Sequence, residues 1–140
     1  MKSFSARLQR LVALESQIEY RNPPPPGAAE FTYLPGELPI LLSAPHGAAH
    51  IRNGRLKPED EYTAGICLMI AEHTGAHVLY SHNRAPCDPN WDRNVPYKHK
   101  LRSILSSDGL RCVVDVHGAS PKRDFGLAVG TMRGRSLPGL

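Results

Sequence analysis

The chain has 140 residues, of which 41% are hydrophobic and 21% charged, a balance that excludes collagen-like, mucin-like and membrane-spanning classes. That length suffices for one hydrophobic core and is too short for two. The formal net charge is +4, but Lys122, Arg123, Arg133 and Arg135 against Asp124 place three of those charges in the last 20 residues, and only 6% of residues are aromatic; without a basic face carrying stacking side chains, no nucleic-acid partner is expected.

Residues 3–20 carry Phe4, Leu8, Leu11, Val12 and Ile18 at helical spacing, with Arg7, Arg10, Glu15 and Glu19 on other faces, which predicts an amphipathic helix. The proline run 23–26 followed by Gly27 stops it, because proline lacks the backbone donor and biases its predecessor away from helix. The expected division is an N-terminal helix in residues 1–22, a proline-rich linker in 23–30 and a domain in 31–140. Within the domain, residues 31–34 read as an edge strand and 39–44 as a buried strand that ends at Pro45-His46-Gly47. A helix with Glu59, Asp60 and Glu61 in its first turn is expected to run to about Thr74, where Gly75 ends it. Residues 76–81 form the next strand, 82–96 a turn-rich loop, 97–105 a helix, 111–116 a third core strand closed by His117-Gly118, and 125–129 a fourth strand. This alternation predicts an α/β fold: a three-layer, mostly parallel or mixed sheet flanked by helices.

No apolar run approaches the roughly 18 to 20 residues of a membrane span, and residues 1–20 are charged throughout, unlike a signal peptide. The expectation is a cytoplasmic protein with no membrane partner. Cys67, Cys87 and Cys112 have no CxxC spacing, so neither a disulfide framework nor a cysteine zinc site is supported.

Two core strands end alike, in Ala44-Pro45-His46-Gly47 and Asp115-Val116-His117-Gly118. In an open α/β sheet, ligands bind beyond the carboxyl ends of the strands, and a neutral imidazole is a good zinc ligand. His46 and His117 with a carboxylate from Glu59, Asp60 or Glu61, of which Glu61 is favoured, therefore form a candidate site for Zn2+ or another divalent ion. His50 stands four residues after His46, but Pro45 and the nearby glycines argue against the helix that spacing would need. Asp115 falls two residues before His117, on the same face of a regular strand, where it could orient that imidazole, hold a nearby arginine or serve as a structural hydrogen-bond acceptor. By themselves the arginines of the loop read as solvated side chains on a capped turn.

The ordered set SAPHGA, PEDEYT, SHNRAPCDPNWDRN, VVDVHGAS and DFGLAVGTMRGRSL, from about Pro39 to Leu137, resembles the N-formylglutamate amidohydrolase family of zinc-dependent, carboxypeptidase-like hydrolases. The Asp-Val-His at 115–117 is also similar to the Asp-x-His of aspartoacylase relatives, although the position three after His46 is Ala49. The resemblance implies zinc held by His46, Glu61 and His117, and removal of an N-formyl or other N-acyl group from an amino acid such as glutamate. It makes Arg84 the preferred substrate and oxyanion residue, with Asp88, Asn90 and Arg93 shaping or lining the substrate site. Carboxypeptidase-like enzymes supply a glutamate base late in the chain, whereas this sequence has no acid after Asp124. The expectation is therefore a fold incomplete at its C-terminus, with Glu59 or Asp60 as substitute base. The alternative is a catalytically weak fragment that binds metal or an amino acid. An unpaired strand at the end of such a sheet would also favour self-association.

Overall fold

The structure, a computed structural model, describes residues 3–107 and 109–136; the limit of the family resemblance at Leu137 lies outside them. Its elements in chain order are α1 (Phe4–Glu15), β1 (Phe31–Leu34), β2 (Leu38–Ala44), β3 (His50–Arg52), β4 (Arg55–Lys57), α2 (Thr63–Thr74), β5 (Ala76–Ser81), α3 (Pro96–Ser107) and β6 (Cys112–Asp115). Four strands form one mixed sheet in the order β1-β5-β2-β6, with β5-β2 and β2-β6 parallel and β1 antiparallel to β5. The fold is α/β, a mixed sheet flanked by helices.

The period-2 alternation of β2 and β5 supplies both faces of the sheet. Leu42, Ala44, Ala76 and Val78 point to one side, where they meet Ala64, Cys67 and Leu68 of α2 and, beyond them, Leu14 and Ile18. Leu41 and Leu79 point to the other side, against Tyr97 and Ile104 of α3. Opposite faces are what right-handed crossovers require: the β2-α2-β5 and β5-α3-β6 connections step across the sheet in opposite directions, so their helices cover opposite sides. Buried Tyr97 satisfies its hydroxyl by donating to the Leu79 carbonyl (2.8 Å) and meeting Ser43 Oγ at 3.0 Å.

Three expectations from sequence change here. The N-terminal helix is not set apart from the domain, because the Glu15 carboxylate is buried and caps α2. It accepts from the backbone N–H groups of Tyr62 and Gly65, each at 2.8 Å, and from the Tyr20 hydroxyl. The helix dipole makes that end of α2 a good place for a buried negative charge. A Cβ on Gly65 would lie 2.5 Å from Glu15 Oε2, so only glycine lets the carboxylate come this close.

The second change is that Glu59, Asp60 and Glu61 precede α2 instead of opening it. Tyr62 at the N-cap has φ of 64°, a left-handed conformation that interrupts the helix before the acids. The third is that no strand forms over residues 125–129. The segment is irregular, with Leu127 and Val129 exposed, and extended backbone without a ladder partner gains no strand hydrogen bonds. β6 is thus an edge of the sheet. The β3–β4 hairpin was not foreseen, although Asn53-Gly54, with φ of 51° and 70°, carries the signature of a tight type I′ turn.

Candidate metal centre

The parallel register pairs Ser43 of β2 with Asp115 of β6, so the chains leaving these neighbouring strands emerge together. They carry His46 and His117 to one rim, with ring centroids 5.0 Å apart and planes at 68°. The acid between them is Asp60. Its Oδ2 lies 3.5 Å from His46 Nδ1 and 3.4 Å from His117 Nδ1. The backbone locks it there: Asp60 N–H donates to the His46 carbonyl at 2.8 Å, and the Asp60 carbonyl accepts from Thr63 Oγ1 at 2.7 Å.

Glu61, the carboxylate favoured from sequence, is exposed and belongs to neither of the His/Asp groups whose ligand atoms converge. The left-handed Tyr62 sets where the backbone turns into α2, and that turn aims Asp60 at the histidines and Glu61 at solvent. Glu59 points elsewhere. Its side chain is buried, Oε1 is 3.4 Å from Arg21 Nη2, and Oε2 has no hydrogen-bond partner among the described residues.

Both His-Gly glycines have packing reasons. A Cβ on Gly118 would stand 3.1 to 3.2 Å from the Asp60 carboxylate and Cβ, and one on Gly47 would meet the Ser81 carbonyl at 2.6 Å and Ala64 Cβ at 2.9 Å. Burial works against ionisation of Asp60, but hydrogen bonds from His117, His46 and the Gly118 backbone overcome it and hold the carboxyl well below the ordinary range.

Behind His46 lies Asp88, fully buried. Its Oδ1 meets His46 Nε2 at 3.0 Å and accepts from the backbone N–H groups of Asn90 (2.9 Å) and Trp91 (2.8 Å), while Oδ2 accepts from Arg52 Nε. These donors hold Asp88 ionised against the cost of burial. For His46, burial lowers the pKa, but Asp60 and Asp88 outweigh it and the net shift is upward. Asp88, expected in substrate binding, is thus an internal brace. A carboxylate accepts from a ring N–H, so Asp88 favours the proton on Nε2 of His46; the protonated ring also donates from Nδ1 to Asp60, and in the neutral ring the Nδ1 lone pair faces the rim instead, the arrangement in which a carboxylate orients a metal-binding imidazole.

His50 stacks on His46, with centroids 4.2 Å apart and planes at 11°; β3, not a helix, brings it there. Its Nε2 is 3.1 Å from Asp88 Oδ2 without hydrogen-bond alignment, and among the described residues neither buried ring nitrogen has a hydrogen-bond partner. His46, His50 and Asp88 make a second convergent group, wholly buried, whereas His46, Asp60 and His117 reach the surface.

The other expected residues stand apart. Arg84 lines a cavity of about 590 Å³ with the prolines of residues 23–26, Glu30 and Ile51, and none of the converging His and Asp residues borders it. Arg93 is exposed; its carbonyl accepts from Arg102 Nη2 at 3.3 Å. Asn90 is exposed, and its backbone caps Asp88. Asp115 is exposed at the end of β6, paired through its backbone with Ser43, and among the described residues its side chain makes no hydrogen bond or ion pair to His117. The sequence reading missed Arg52, which reaches Asp88 and lies 5.6 Å over the exposed Trp91 ring. Cys67 is buried and its thiol is pushed up to about 12 by burial, which keeps it protonated.

The fold and these residues define an α/β protein with a surface-reaching two-histidine, one-aspartate cluster at the carboxyl ends of adjacent parallel strands. Comparison with protein-family models, curated proteins and solved structures finds no match to this chain, and the family resemblance gains no support from them. Among the described residues, no helix is long and apolar enough to cross a membrane.

Proposed function

We propose that the chain binds a divalent cation, zinc in the first instance, through His46, Asp60 and His117, and that this centre serves hydrolysis of an N-acyl amino acid of the N-formylglutamate type. The observation that carries the reading is the spacing of the cluster. Atoms held about 2.0 to 2.1 Å from a tetrahedral ion stand roughly 3.3 to 3.4 Å from one another, and the Asp60 oxygen lies 3.4 and 3.5 Å from the two imidazole nitrogens. Two imidazoles and one carboxylate also leave a fourth position for water, as catalytic zinc sites do. The ion would supply a water acidified toward neutral pH and a Lewis acid for the acyl carbonyl.

The chain's own residues would then divide the remaining work. Asp60, held ionised, would balance the ion's charge. Asp88 would keep His46 in the tautomer whose Nδ1 faces the site. Gly118 would let Asp60 approach closely and give it a backbone N–H. With Asp60 spent as a ligand, it is no longer free to serve as general base, and Glu59 is turned toward Arg21. That observation favours the second reading, in which the centre binds metal and an acyl amino acid but turns over weakly, because a base must move the proton from water to the leaving amine. The larger architecture proposed with either reading is carboxypeptidase-like.

Metal content and turnover separate these readings. Purified protein exchanged against zinc should hold one ion per chain, reduced at least tenfold in Asp60→Asn and His117→Ala but not in Glu61→Gln. An unchanged stoichiometry in Asp60→Asn overturns the assignment. Release of formate from N-formylglutamate that is lost in His117→Ala supports the hydrolase; zinc binding without release leaves the binding reading.

A further inference from the structure

A second cavity, of about 370 Å³, opens against His117 and is walled by the irregular chain that follows it, including Ser120, Arg123, Phe125, Leu127 and Ala128. It shares His117 with the proposed metal centre, so a ligand in it stands next to that centre. No acidic residue lines it, and Arg123 is its only cationic side chain among the described residues. Among the described residues Arg123 makes no ion pair. Its guanidinium lies 6.0 Å over the Phe125 ring, a contact that holds the planar group by one face and leaves its N–H edges open. A planar fork with free N–H groups matches a carboxylate in two parallel hydrogen bonds. The rest of the wall, Leu127, Ala128 and the flanking glycines, is apolar or small and suits the aliphatic part of an amino acid.

We infer that this cavity is the subsite for a free carboxylate of an acyl amino acid, with Arg123, not Arg84 or Arg93, as the residue that selects anionic substrates. The inference rests on the metal-centre reading for its catalytic meaning, and the experiment keeps the two apart. Cobalt(II) is loaded into wild type, Arg123→Gln and Arg123→Lys, and its visible absorption reports the metal centre alone. N-formyl-L-glutamate and its dimethyl ester are then titrated calorimetrically into each protein, with and without cobalt.

The cobalt affinity should agree within about twofold in all three proteins, since Arg123 is not in the ligand group. Wild type should bind the diacid at least tenfold more tightly than the diester, the range expected for charge-assisted hydrogen bonds. Arg123→Gln should erase that preference and Arg123→Lys should retain part of it, because an ammonium supplies the charge without the fork. A preference for the diacid that survives in Arg123→Gln overturns the inference, as does a wild type with no preference, whether or not cobalt binds. Failure of the metal reading looks different: the spectrum stays that of the aqua ion, while an Arg123-dependent preference for the diacid in the cobalt-free titration still supports the subsite.

Discussion

Asp88→Asn tests whether the carboxylate behind His46 is a brace or a ligand. Asp88 is fully buried and receives four donors: the His46 ring, Arg52 and two backbone N–H groups. An asparagine of the same shape keeps one acceptor oxygen and turns an NH2 group toward a donor. One charge-assisted bond is lost, at about 1.5 to 3 kcal/mol, and a buried donor is left facing another donor. The expected destabilisation is about 3 kcal/mol, which for a chain of this size lowers Tm by roughly 10 °C. The effect depends on pH. The folded Asp88 carboxyl titrates below its unfolded value, so its contribution is fully present above the unfolded pKa near about 4 and is lost as pH falls through the folded pKa. The difference in stability between wild type and Asp88→Asn, followed by urea unfolding, should therefore be largest at neutral pH and shrink below pH of about 4. Loss of a carboxylate that orients a ligand histidine typically costs 10- to 100-fold in metal affinity, which calorimetric zinc titration would measure. Unchanged affinity alongside lower stability refutes the proposed role of His46 Nδ1 and leaves Asp88 as a loop brace only. Complete loss of binding, with Asp60→Asn still binding, moves the ion to His46, His50 and Asp88.

Three further outcomes follow from the same geometry. The His46 pKa is raised, and a metal must displace its proton, so zinc affinity should climb close to tenfold per pH unit below that pKa and level off above it; a flat profile from pH 5 to 8 refutes ligation by His46. Gly65→Ala forces a methyl group toward Glu15 Oε2, and overpacking of about 1 to 3 kcal/mol should appear in thermal unfolding, with α1 becoming more sensitive to protease; wild-type stability would mean Glu15 does not cap α2. β6 is an edge strand with Val114 43% exposed, so the protein should self-associate at tens of micromolar in sedimentation velocity and Val114→Lys should reduce this; a concentration-independent wild-type monomer refutes edge pairing.

Much of the framework was readable along the chain. The alternation that makes β2 and β5 core strands is written in their apolar runs, and Gly75, with φ of 74°, ends α2 where a helix stop was expected. The two His-Gly strand ends were visible as a pair because glycine beside histidine at the end of an apolar run is a local pattern. Other features depended on distant atoms. The burial of Glu15 follows from the N-terminus of a helix 47 residues further on, and nothing around it in sequence marks it as different from Glu19. Residues 125–129 find no pairing neighbour among the described residues, although Phe125, Leu127 and Val129 alternate as strand residues do. The hairpin at Asn53-Gly54 is a local feature, carried by its turn dipeptide alone.

The candidate site divides in the same way. Residue type and position relative to the strands pointed to His46, His117 and an acid among residues 59–61 as neighbours, and the structure brings His46, Asp60 and His117 together. Which acid could not be decided at that level. Adjacent residues point in different directions, and the left-handed Tyr62 together with the hydrogen bond from Asp60 N–H to the His46 carbonyl aims Asp60, not Glu61, at the imidazoles. The resemblance implies Asp88 only as a residue that shapes the loop or binds substrate, and the packing of its loop behind His46 makes it an internal partner of the ring. Sequence determined most of the elements and which histidines and acids stand near the strand ends. Tertiary structure decided the register of β2 against β6, and with it which side chains share a rim, because side-chain direction is set by backbone turns and by contacts far apart in the chain.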